Sequence, residues 1–172
     1  ARGCILLALQ CGWWKPYREN HIHTMSDYKV TVTKTAFPLS MTYVFYAEPQ
    51  RVFDAFTQKE IVATWCDGGG FMEPVTQGNL EFFNGWVKGN VLAADRSKGV
   101  LEFTWRPTEW DRKVQDSFVH IMLKPHPAGT EIQLEHGGFP SMEESDKHYA
   151  GWMDYVFEPM NDMFTGISPL AD

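Results

Sequence analysis

From Tyr28 onward, hydrophobic and polar positions fall into short alternating runs, the pattern of strands that bury one face. Lys29 to Thr35 is rich in β-branched residues at period two. Met41 to Tyr46 resumes the pattern after Pro38, which bars one continuous central strand. Further strands are predicted at 79–83, 86–95, 99–106, 116–125 and 129–136. The turns between them carry their own chemistry: Asn84-Gly85 tolerates the positive φ of a tight hairpin, and Asp95 to Gly99 and Pro125 to Gly129 form the next two. Alternation is clean where Leu101, Phe103 and Trp105 oppose Glu102, Thr104 and Arg106. It recurs in Val119, Ile121 and Leu123, and in Ile132, Leu134 and His136 against Glu131, Gln133 and Glu135. Each strand thus has a buried face and a wet face, as in an antiparallel sheet covered on one side.

The period changes from two to 3.6 in three places. Pro49 stands at a first helical position behind Glu48, and Val52, Phe53 and Phe56 form the apolar side of a short helix. Thr57 is positioned to cap a second, Gln58 to Trp65, with Ile61, Val62 and Trp65 inward; Gly68-Gly69-Gly70 ends it in a flexible turn. That triple glycine lacks the Lys-Ser/Thr ending of a phosphate loop. Near the C-terminus, Ser141-Met-Glu-Glu144 is a capping box opening a long helix. Its expected apolar stripe is Tyr149, Trp152, Val156, Met160 and Met163, opposite Glu144, Lys147, Asp154, Glu158 and Asp162, with a kink at Pro159. The predicted fold class is α+β: a curved antiparallel sheet of about six strands wrapped around the long C-terminal helix, with two short helices after the first strand.

Composition adds constraints. A chain of 172 residues suits one domain with a sizeable core, here residues 25–172. Aromatic residues make up 15%, including 7 Trp and 12 Phe, a surplus that goes either into sheet packing or into a pocket wall. The net charge of −7 and the lack of any Lys/Arg run argue against nucleic acid and anionic membrane as partners. Cys4, Cys11 and Cys66 show no metal-ligand spacing and read as free thiols of a reducing, cytoplasmic setting. The run Cys4 to Leu9 is too short to span a bilayer, and Met25-Ser-Asp looks like a translation start. Residues 1–24 are therefore expected to be an upstream extension or expression remnant, disordered and apart from the fold.

Several segments, in order, resemble a known family. Leu101-Glu-Phe-Thr-Trp-Arg-Pro107, Gly129-Thr-Glu-Ile-Gln-Leu-Glu-His-Gly-Gly-Phe-Pro140 and Lys147-His-Tyr-Ala-Gly-Trp152 are similar to the activator of heat shock protein 90 ATPase homologue-like proteins. So is Ala47-Glu-Pro-Gln-Arg-Val-Phe-Asp-Ala-Phe-Thr57. These proteins lie within the START-like, or SRPBCC, helix-grip superfamily, and the resemblance covers about residues 28–165. It implies the helix-grip fold and a hydrophobic ligand cavity. It does not transfer an activity: superfamily relatives include lipid carriers, polyketide cyclases and aromatases, hydroxylase domains and hormone receptors. The Asn-rich motif of the chaperone activators is absent, as are the Cys/His pairs of a Rieske cluster.

Among candidate site residues, His136 points inward by parity. It is either a general base or ligand partner, or, as the stronger reading, a core histidine bonded to a backbone group, since no carboxylate or nucleophile pairs with it. His120, His126 and His148 are expected at the surface, and Glu102 on the wet face; Glu81 could in principle supply an acid–base group. Cys66 lacks an activating base. The expected ligand-binding set is Trp65, Phe71, Phe82, Trp86, Phe103, Trp105, His136, Tyr149, Trp152, Val156 and Met160, with His136 as the polar handle. No catalytic residue, metal or cofactor is expected, and the chain is read as a non-enzymatic module for a small apolar or aromatic molecule. The alternatives are a cyclase or aromatase using the same cavity, or a protein-interaction module of the chaperone-activator kind.

Overall fold

The alternating segments close into one seven-stranded antiparallel sheet in the computed structural model, which describes residues 35–166. The elements are β1 (Leu39–Phe45), α1 (Pro49–Thr57), α2 (Lys59–Trp65), β2 (Gly70–Met72), β3 (Asn79–Phe82), β4 (Val87–Asp95), β5 (Val100–Pro107), β6 (Ser117–His126) and β7 (Gly129–Gly137). A C-terminal helical run follows: α3 (Met142–Trp152), a π-helical turn (Met153–Phe157) and α4 (Glu158–Thr165). Spatial order is β1-β7-β6-β5-β4-β3-β2, so the chain runs as a meander from β2 to β7 while β1 closes against the last strand. The expected strand at 29–35 falls almost wholly outside the described residues, as do residues 1–24.

Five predicted strands sit within one residue of their expected ends, because their turns are locally encoded. Phe83, Asn84 and Gly85 all take positive φ between β3 and β4. The seventh strand was not anticipated: Gly70–Met72 pairs with Phe82–Leu80, and three residues are too few to show a period. Thr57 does not cap α2 either. It ends α1 and donates its hydroxyl to the Phe53 carbonyl at 3.0 Å, leaving Gln58 as the cap position.

The sheet bends around its helix at identifiable places. The register slips between Val91 and Ala93 where β4 meets β5, a bulge that bends the strand. Gly89 beside it admits no side chain, since a Cβ there would lie 1.9 Å from the Thr104 carbonyl oxygen. The concave face carries Leu101, Phe103 and Trp105 of β5, Val119 and Ile121 of β6, and Ile132 and Leu134 of β7, all buried. Phe157 and Phe164 of the helical run reach across to Phe45 at ring separations of 5.7 and 5.8 Å.

On the opposite face, Glu102 and His120 depart from expectation. They are direct cross-strand partners, and His120 Nδ1 lies 2.9 Å from Glu102 Oε1. Both are buried, at 4% and 2% exposure. Parity places a side chain on a face; it does not say whether that face meets water. The pair is tolerated there because each group satisfies the other.

Candidate functional site

The helix presents a different stripe to the sheet from the one apolar residues suggest. Its buried positions are Ser145, His148, Trp152, Val156, Phe157 and Met160, whereas Tyr149 is 51% exposed. One turn back from Trp152 the inward residue is His148, four positions away, and Tyr149 is rotated out beside it. The π turn then carries one extra residue, so that Val156 and Phe157 are buried in succession before Met160 resumes the face. It closes with Glu158 N–H bonded to the Met153 carbonyl, directly ahead of Pro159, which has no N–H with which to continue the α pattern.

His136 lies wholly inside the sheet–helix layer, and both ring nitrogens are engaged. The Trp152 indole donates to Nδ1 at 3.1 Å, since an indole N–H can only donate. The proton of His136 therefore sits on Nε2, which donates to Ser117 Oγ at 2.8 Å; Ser117 passes its own proton to the Trp105 carbonyl at 2.7 Å. Burial pushes the His136 pKa well below the ordinary 6.5, with His148 adding to the effect. His136 is a neutral structural link, bonded to two side chains rather than to a backbone group.

A half-open cleft of about 730 Å³ remains beside this network, between the β3–β4 turn, β5 and α3. Its apolar wall is Phe83, Trp86, Trp105, Trp152 and Val156, with Tyr155 at the mouth. Trp105 and Trp152 pack at 5.0 Å between ring centres. The rim carries Asp67, Glu109, Glu144 and Lys147. Glu144 is fixed by the Trp110 indole at 3.0 Å and Lys147 at 3.2 Å, and although burial opposes ionisation these bonds hold its carboxyl below the usual range.

His148 is the principal residue that sequence reasoning left out. It is 7% exposed and lines the cleft. Nδ1 lies 2.8 Å from the Glu144 carbonyl oxygen, which can only accept, so Nδ1 carries the proton and Nε2 presents a bare lone pair. Burial lowers its pKa, against the opposing pull of the Glu144 carbonyl and carboxylate and of Glu109. His148 Nε2 and Trp105 Nε1 are buried without a hydrogen-bond partner among the described residues. Spacing to Trp152 allows either His148, four positions back, or Tyr149, three back, to face inward, and the sequence favoured the apolar one; the structure turns His148 in, not to the expected surface.

Of the expected ligand-binding residues, Trp86, Trp105, Trp152 and Val156 line the cleft. Trp65, Phe82, Phe103, His136 and Met160 are packed into the core, Phe71 is half-buried on β2, and Tyr149 faces away. The rings that plug the concave face lie toward α1 and α2, where Trp65 packs against Phe56 and Phe82. Cys66 is a buried thiol whose pKa is raised by burial, and its Sγ lies 3.2 Å from the Gly69 carbonyl. Glu81 forms an ion pair with Lys88, and His126 is exposed at the end of β6. No group of three or more His, Cys, Asp or Glu is placed to hold a metal among the described residues. No described helix is long and apolar enough to cross a membrane.

Comparison with known proteins places this arrangement. The family described as "Activator of Hsp90 ATPase homolog 1-like protein" matches residues 46–164. The chain belongs to this family. The fold is START-like, of the helix-grip type, a curved antiparallel sheet holding a C-terminal helical run. A curated family relative, "Activator of 90 kDa heat shock protein ATPase homolog 2" of Mus musculus, is 23% identical over 125 residues, covering 73% of this chain. The chain spans 37% of that relative's length. Among solved structures, protein MLL2253 from Mesorhizobium loti superposes with a TM-score of 0.64 at 22% identity, covering 77% of this chain and 99% of its own. PFC0360w of Plasmodium falciparum, described as an HSP90 activator, gives 0.63 at 16% identity, covering 76% and 97%. At these identities the structures share the fold.

Proposed function

We propose that the chain binds a small apolar or aromatic molecule in the cleft between sheet and C-terminal helix, without catalysis. The observation that carries this reading is the 730 Å³ cleft walled by Trp86, Trp105 and Trp152, which falls in the size range of ligand sites and is lined as they are. Of the titratable groups beside it, His136 and Glu144 are engaged elsewhere, while His148 keeps a free Nε2. His136 has both nitrogens bonded, and Glu144 is held by Trp110 and Lys147. A cyclase would need a second titratable group paired with His148 across the substrate.

The test is native mass spectrometry of the purified chain, followed by titration with the neutral probe N-phenyl-1-naphthylamine while following tryptophan fluorescence. A bound small molecule, or saturable quenching weakened in Gly151→Leu, which fills part of the cleft, supports the reading. An empty chain that neither binds the probe nor changes its fluorescence refutes it.

Family membership favours a second reading, a module that contacts a chaperone of the heat shock protein 90 type. Stimulation of that chaperone's ATPase by the isolated chain, undiminished by Gly151→Leu, would select it over the first.

A further inference from the structure

Two features of the cleft remain unexplained by apolar lining alone. Trp105 Nε1 and His148 Nε2 are buried polar atoms on cleft-lining residues, and neither has a partner among the described residues. Leaving such groups unsatisfied is costly, so native structures nearly always pair them with protein, water or ligand. Their characters are complementary. The indole nitrogen can only donate, and His148 Nε2 accepts because Nδ1 keeps its proton on the Glu144 carbonyl at 2.8 Å. The two rings are edge-to-face neighbours, 6.4 Å apart at 76°.

We propose that the cleft recognises a hydroxyl on a neutral aromatic ligand, with Trp105 Nε1–H donating to the hydroxyl oxygen and the hydroxyl proton donated to His148 Nε2. This rests on the reading of the cleft as a ligand site and adds the chemistry of the ligand. A hydroxyl both donates and accepts at one oxygen, which a carboxylate, an ether or a hydrocarbon cannot do. The rim repels an anion, since Asp67, Glu109 and Glu144 outnumber Lys147 there and the chain carries −7 overall. Trp86 covers His148, stacked at 6.3 Å and 22° between ring planes, and is itself 39% exposed. The ligand reaches the nitrogen pair by displacing that ring, and its aromatic body takes over the apolar contact.

The experiment compares three probes of similar size at neutral pH by ligand-observed NMR titration: 2-naphthol, 2-methoxynaphthalene and naphthalene. The expected result is that 2-naphthol binds about tenfold more tightly than the other two, the worth of one net hydrogen-bonded pair. In His148→Phe this preference falls to about parity while naphthalene still binds. Equal affinity for all three probes in the unsubstituted chain overturns the hydroxyl assignment but leaves the cleft as an apolar site. Retention of the preference in a folded His148→Phe chain overturns the assignment of His148. Binding of none of the three refutes the ligand-site reading itself, and this inference with it. The probe comparison needs no variant, so it decides the matter even where a substitution fails to fold.

Discussion

The Trp152 indole donates its N–H to His136 Nδ1 across 3.1 Å, joining the long helix to β7 by a directed bond rather than by apolar contact alone. Every proton in the chain from Trp152 through His136 and Ser117 to the Trp105 carbonyl then has one assigned place. A fully satisfied buried network of this kind fixes one docking geometry for the helix, and so fixes the wall of the cleft that Trp105 and Trp152 share.

His136→Phe keeps the ring but strands the buried Trp152 N–H without an acceptor. The expected loss is about 2–4 kcal/mol of unfolding free energy. Urea unfolding followed by tryptophan fluorescence measures it, and a loss below about 1 kcal/mol would mean that the network contributes little.

Stability should fall as pH drops below the ordinary histidine value of 6.5. Both His136 and His148 have folded-state pKa values lowered by burial, so the unfolded chain takes up protons that the folded chain refuses. The sign is thus a loss toward acid, by as much as about 1.4 kcal/mol per pH unit for each histidine. The depressed carboxylates act in a separate, lower window; Asp95, held down to about 2 by bonds from Ser97 and Lys98, is one. Urea midpoints between pH 7.5 and 5 test this, and His136→Phe should flatten the slope.

Gly151 sits within α3 on the cleft wall, and a Cβ there would meet nothing within 4 Å. Gly151→Ala should stabilise the chain by about 0.5–1 kcal/mol through helix propensity. Gly151→Leu should keep the fold while filling part of the cleft, cutting affinity for 2-naphthol roughly tenfold. Paired thermal melts and NMR titrations separate the two effects; unchanged affinity in Gly151→Leu would place the site elsewhere.

Glu102 and His120 form a buried pair on the outer face. Removing one partner, as in Glu102→Ala, should cost about 2–3 kcal/mol, because the other is left buried and unpaired. The joint replacement Glu102→Val with His120→Val should cost far less, since β-branched residues suit adjacent strand positions. A double-mutant cycle in urea gives the coupling, and simple additivity of the two losses would refute it.

Much of the architecture was legible because its causes are local. Turn residues such as Asn84-Gly85 and the Ser141 cap, whose hydroxyl accepts the Glu144 N–H at 3.2 Å, act over a few positions. The β2 strand escaped notice because three residues carry no period, and Thr57 because a hydroxyl can serve the helix behind it as well as the one ahead. The candidate site was legible only in part. Trp86, Trp105, Trp152 and Val156 were singled out as large apolar residues and do line the cleft. His148 and the acidic rim were not, because a polar residue on an apolar face gives no signal of its own.

Alternation, turn chemistry and the capping box thus determined by themselves an antiparallel sheet followed by one long helix, since each depends on neighbours along the chain. Which rings fill the concave face and which leave it open was decided only by the tertiary structure. A helix turns its side chains by a fixed angle, but its rotation against the sheet is set by what it meets there. The Trp152–His136 bond and the π turn before Pro159 set that rotation. They put His148 at the cleft and turned Tyr149 away, and no single segment of the sequence contains that information.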